Sequence, residues 1–168
     1  MNSIIYTTNT GSAKEYAELL SRETGIPAYP LSEAKGKVAA GSDIIYIGWV
    51  MAGTVKGYPK AAKQYNIRAV CAVGMCRTGT QTENIREKNS IPQNIPLFTL
   101  QGNLNVGKLR GIYRPMMKIM VKNVGQELSA KKDRTPDEDD MLDMMLHGEN
   151  RINIDNLRDI LGWYKAQK

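Results

Sequence analysis

The sequence predicts an α/β domain: a doubly wound parallel sheet with helices on both faces. Two observations predict it. Short apolar runs alternate with helical patterns along a chain of 168 residues, the order that strands linked by crossover helices produce. The run DIIYIG at 43–48 is apolar nearly throughout, as a central parallel strand buried on both faces requires. With 42% hydrophobic residues, the chain can bury one core, so residues 1–168 are expected to form a single domain.

The elements follow in order. Residues 3–7 read as the first strand, and 12–22 as a helix that turns Tyr16, Ala17, Leu19 and Leu20 inward and ends at Gly25. Residues 26–29 give a short second strand and 43–48 the third. AVCAV at 69–73 is the fourth, and 96–100 the fifth. Helices are expected at 58–65 and 80–88. After strand five such a domain needs one more helix, which INIDNLRDILGWYK at 152–165 supplies. Residues 102–150 are therefore an insertion, and one this long has a function of its own or no fixed structure.

Bulk properties exclude several classes. No run approaches the roughly 20 apolar residues of a membrane span, and the N-terminus MNSIIYTT lacks the layout of a signal peptide, so the expected location is the cytoplasm. Cys71 and Cys76 are the two cysteines, and five residues apart along a strand they face opposite ways, against a disulfide or metal site. The net charge of +6 suits an anionic partner without choosing one.

Doubly wound sheets bind ligands beyond the C-terminal ends of their strands, which directs attention to the loops at 8–12, 49–57 and 75–80. The turn Thr8-Asn9-Thr10-Gly11-Ser12-Ala13 leads from a strand into a helix, where unpaired amides and the helix dipole receive an anion. Its hydroxyls add donors, and Gly11 lets backbone approach closely. No lysine follows the glycine, which excludes a triphosphate loop, and no GxGxxG marks a dinucleotide site. A monophosphate held by neutral donors remains; on spacing alone, Thr10 or Ser12 serves equally as an ordinary N-cap.

TNTGSA after the first strand resembles the phosphate loop of flavodoxins, and the resemblance covers residues 1–100 in order and length. It implies a flavodoxin-like three-layer sandwich, a five-stranded sheet of order 2-1-3-4-5, and FMN as cofactor. Thr8, Asn9, Thr10, Gly11, Ser12 and Ala13 would then hold the phosphate. Trp49, Val50, Met51, Ala52, Gly53 and Thr54, with Met75, Cys76, Arg77, Thr78 and Gly79, would hold the isoalloxazine ring. Gly53, Gly57 and Gly79 would bring amides to the ring edge, and Trp49 or Tyr58 would stack on it; the lesser alternative is that Trp49 caps the core. Soluble carriers of this family are acidic around the flavin, whereas this chain is basic and places Arg77 in a flavin loop.

Within the insertion, GKLRGIYRPMMKIMVKNVG at 107–125 carries Lys108, Arg110, Arg114, Lys118 and Lys122 and no acid. The last four recur at i+4, and a helix is expected over 114–124. Ile112, Tyr113, Met116, Met117, Ile119, Met120, Val121 and Val124 make the rest apolar. Such a helix suits a membrane surface or a partner groove, or packs on its own domain; nucleic acid fits less well. In TPDEDDMLDMMLHGEN at 135–150, Thr135, Pro136 and Glu138 form a capping box. The helix it starts would turn Met141, Leu142, Met144, Met145 and Leu146 inward, with its acids paired to the basic stripe and His147 at its end.

The loop TxTG, the central strand ending in IG, the basic MM-x-IM helix and the closing amphipathic helix also resemble the menaquinone-dependent protoporphyrinogen oxidase group of flavodoxin-domain proteins. That resemblance implies an FMN-dependent dehydrogenase of heme biosynthesis. It would oxidise protoporphyrinogen or a similar reduced substrate, pass electrons to a quinone, and contact the inner membrane face through residues 114–124. Chemistry would be flavin-borne, with no catalytic side chain; Arg77 and Lys56 either steady the reduced ring or substrate carboxylates or, the stronger of the two readings, are exposed surface cations. The alternative is a flavodoxin-type electron-transfer protein that docks on a redox partner, and a third is a binding module that has lost FMN.

Overall fold

Five strands align in parallel in the computed structural model, which describes all residues except 105, 106, 108, 110, 149 and 168. Lys108 and Arg110 of the basic stretch thus lie outside the described residues. The strands are β1 (Ser3–Thr7), β2 (Ala28–Pro30), β3 (Asp43–Met51), β5 (Asn66–Gly74) and β6 (Leu97–Gln101), in the order β2-β1-β3-β5-β6. A sixth, β4 (Thr54–Val55), pairs antiparallel with the end of β3. The expectation of five strands is corrected by this hairpin. Ala52 and Gly53 turn at φ 48° and 76°, the left-handed pair that a two-residue hairpin requires, and the sequence lacks the usual Asn-Gly there.

The α-helices are α1 (Ser12–Thr24), α2 (Leu31–Ala34), α3 (Tyr58–Gln64), α4 (Thr82–Asn89), α5 (Tyr113–Ala130), α6 (Pro136–His147) and α7 (Arg158–Lys165), the last preceded by a 3-10 turn at Ile154–Leu157. Strand alternation sends side chains to two cores. Ile4, Ile45, Ile47, Cys71 and Val73 meet α1 and α7 through Tyr16, Leu20 and Ile160. Ile5, Ile44, Tyr46, Val70 and Leu97 meet the other helical layer through Tyr58, Ala61 and Ile85. Ile4, Ile5, Ile44, Ile45 and Ile47 are wholly buried, each stabilising by about 1.5–3 kcal/mol relative to exposure.

The insertion contributes a third cluster. Met117 of α5 and Met144 of α6 pack with Leu104 and Leu109, and against Met51 and Met75 of the body. α5 begins at Tyr113, with Pro115 in its first turn where a missing N–H costs nothing. It runs six residues past the expected end at 124. The capping box is present, with Thr135 Oγ1 accepting from Glu138 N at 3.3 Å. Met144 is wholly buried, but Leu146 is 66% exposed, contrary to the inward placement expected.

Candidate functional site

The ends of β1, β3, β5 and β6 open into one cavity of about 340 Å³, within the size range of ligand pockets. It lies where parallel order departs from chain order: β1 sits between β2 and β3, the switch point at which such sheets bind ligands. Thr8, Thr10, Ser12 and Ala13 form one side, Trp49, Val50, Met51, Ala52 and Gly53 a second, and Gly74, Met75, Cys76, Thr80 and Gln81 a third. Leu104, Leu109, Met117, Met120, Val124, Met141 and Met145 of the insertion line it too, as a roof. No lining residue among those described carries a charge.

The turn is shaped by backbone. Gly11 adopts φ 111° at the start of α1, and its N–H donates to Thr8 Oγ1 at 3.1 Å. Ser12 is buried, and its Oγ accepts the Asn103 amide at 3.1 Å, which fixes the first residues of the insertion against α1. Gly102 has to be glycine at this crossing. A Cβ there would lie 2.8 Å from Val73 Cγ1 and 3.1 Å from Ser12 Cβ.

Six of the expected site residues do not line the cavity: Asn9, Gly11, Thr54, Arg77, Thr78 and Gly79. Gly11 acts through the turn it makes. Thr78 Oγ1 accepts the Gln101 amide at 3.0 Å, and Gly79 N donates to Thr99 O at 3.1 Å, so these two fasten their loop to β6. Arg77 is exposed and faces Asp137 of α6 at 3.4 Å, away from the cavity. Lys56 does not line it either; its carbonyl accepts from Tyr46 Oη at 2.6 Å.

Two aromatic assignments separate. Trp49 lines the cavity and meets Tyr113 of the roof edge-on at 5.2 Å between ring centres. Tyr58 is buried under the sheet, 6.3 Å from the ring of Tyr46, and cannot stack on a ligand. Gly57 belongs to that structural group as well, because a Cβ there would fall 2.2 Å from Tyr46 Oη and 2.5 Å from Thr7 Oγ1.

Both cysteines are free thiols. Burial pushes the Cys71 thiol far up, and burial with the nearby Asp137 carboxylate raises Cys76. Cys76 lines the cavity as a protonated, weakly nucleophilic side chain.

The acids of α6 find partners other than the stripe. Lys131 meets Glu138 at 2.6 Å and Arg134 meets Asp139 at 2.6 Å, both in the turn between α5 and α6. Hydrogen bonds from Lys131 hold the exposed Glu138 carboxyl below its ordinary value. Asp140 and Asp143 face Arg151, and Asp140 also accepts from Gln101 Nε2. Arg114, Lys118 and Lys122 make no ion pair among the described residues.

Thr80, at the end of the loop at 75–80, lines the cavity as that loop's placement predicts, whereas the roof, Gln81, Ile85 and Thr99 line it without having been expected to. The insertion had drawn attention as a surface, and its methionines held the signal: Met117, Met120, Met141 and Met145 recur at helical spacing on the inward faces. No helix among the described residues is long and apolar enough to cross a membrane, and no cluster of described residues has the makings of a metal site. Neither a family model nor a curated protein sequence matches the chain.

Proposed function

We propose that the chain is a flavodoxin-like FMN oxidoreductase that dehydrogenates protoporphyrinogen or a similar reduced substrate and passes the electrons to a quinone. One observation carries the reading. A hydroxyl-bearing turn at a helix N-terminus shares a single cavity with apolar, glycine-bearing loops at the switch point of a parallel sheet.

The residues fit the group. A phosphate monoester suits the N-terminal amides of α1 and the hydroxyls of Thr8 and Thr10, with no acid among the described lining residues. A planar ring suits Trp49, Met51, Met75 and the methionine roof. Bound FMN supplies a ring that accepts a hydride equivalent. The protein's part is to bind, orient and exclude water, and no described lining side chain is an acid or base that would move a proton. Substrate carboxylates find no cation inside the cavity among the described residues. They are left to exposed cations such as Arg114, Lys118 and Lys122, which make no ion pair among the described residues.

Anaerobic titration tests this. The purified protein should carry or take up FMN, bleach with protoporphyrinogen and regain colour with a menaquinone analogue. Bleaching only by a flavoprotein reductase would instead establish an electron carrier. That second reading, like the proposed contact with the inner membrane face, is favoured by the outer face of α5. Ile112, Met116 and Ile119 recur there at i, i+4 and i+7 with exposures of 75%, 44% and 62%. Binding to anionic vesicles supports the membrane-linked enzyme, and tight binding to a soluble redox protein supports the carrier.

A further inference from the structure

Thr99 lies in the middle of β6, paired with Ala72 of β5. It is 6% exposed, and its Oγ1 has no hydrogen-bond partner among the described residues although it lines the cavity. Its backbone is served, since its carbonyl accepts from Gly79. A buried hydroxyl left unpaired costs about 1–3 kcal/mol, and valine would fill the same strand position with the same shape and no such cost. Arg86 also has an unpaired buried Nε, but its Nη1 holds the carbonyls of Pro92 and Ile95 at 2.8 and 3.0 Å, and Arg86 does not line the cavity. Thr99 is thus a cavity-lining residue that carries a buried hydroxyl with no hydrogen-bond partner among the described residues.

We propose that Thr99 is a ligand-binding residue whose hydroxyl meets a neutral carbonyl or imide edge of the flavin ring, an assignment that rests on the FMN reading above. Position argues for the ring rather than the phosphate. β6 lies three strands from β1 along β1-β3-β5-β6, roughly 14 Å at the usual strand spacing, so a phosphate held at the turn after β1 leaves only the far end of the molecule near Thr99. Chemistry argues for a neutral edge. A hydroxyl can donate or accept, and no charged group among the described lining residues accompanies it.

The test compares wild type, Thr99→Val and Thr99→Ser by titrating FMN and riboflavin and by melting the ligand-free proteins. Thr99→Val should bind both flavins roughly two- to tenfold more weakly, and Thr99→Ser should bind close to wild type. Ligand-free Thr99→Val should melt at or above the wild-type temperature, because an unpaired hydroxyl has gone. Unchanged affinity in Thr99→Val, or a deficit for FMN that vanishes with riboflavin, would overturn the assignment. If wild type binds neither flavin, the FMN reading falls and this inference falls with it.

Discussion

Tyr46 ties β1, β3 and the loop after β4 together: its Oη lies 2.8 Å from Thr7 Oγ1 and donates to Lys56 O at 2.6 Å. Burial pushes its pKa up to about 12. The folded value lies above the unfolded one, so the stabilisation is complete below about pH 10 and is lost as pH rises through about 12. Tyr46→Phe should therefore cost about 1–2 kcal/mol at pH 8, a deficit that shrinks between pH 10 and 12 in denaturant melts of the two proteins. Glu15 works in the opposite sense on the turn. It lies in the first turn of α1, with Oε1 3.7 Å from where a Cβ on Gly11 would sit. Its charge favours the ligand-free helix N-terminus and opposes a phosphate there. Glu15→Gln should tighten FMN binding about two- to fivefold at low salt and leave riboflavin unchanged, as measured by fluorescence titration.

At the scale of elements, α5 and α6 act as one unit. Arg134 Nη1 donates to the carbonyls of Leu128 and Lys131 at 2.9 and 2.8 Å, covering the open end of α5, while its Nε meets Asp139 of α6. The exposed ion pairs of this turn contribute little by themselves; the methionine contacts carry the packing. Met144→Ala removes a wholly buried side chain and should cost about 2–5 kcal/mol if the pair melts with the body. Hydrogen exchange locates the loss: protection should fall first in α5 and α6, with β3 and β5 unaffected until global unfolding. An equal fall throughout would mean that roof and sheet open only together.

Across the whole molecule, what was legible in the sequence was local. The third strand declared itself because Ile44, Ile45, Tyr46 and Ile47 are apolar on both faces, and α6 because Thr135, Pro136 and Glu138 announce a helix start. β4 escaped notice because its turn uses Ala52 at positive φ, where Asn or Gly is usual. α5 was cut short because Asn123 and Gly125 weaken helix propensity, while buried Leu128 and the Arg134 cap extend it. Of the cavity wall, most of the turn and parts of two loops were legible. Its roof, the role of Arg77 against Asp137 sixty residues on, and the unpaired hydroxyl of Thr99 depend on contacts between distant parts of the chain, which no periodicity encodes.

Asn103, whose amide is held by Ser12 Oγ at the foot of the roof, also meets the returning chain. Arg151 N donates to Asn103 Oδ1 at 2.6 Å, so the chain leaves the sheet and returns to it through a neck one hydrogen bond wide. Everything between is a single excursion, removable without rerouting a strand. Replacing residues 104–150 by a short glycine-serine linker should preserve the far-ultraviolet signature of the sheet and its flanking helices, and lay Trp49 and Met75 open to solvent. In engineering terms the roof is a cartridge: a different helical pair spliced at the same neck would change what the cavity admits while the sheet beneath it stays as it is.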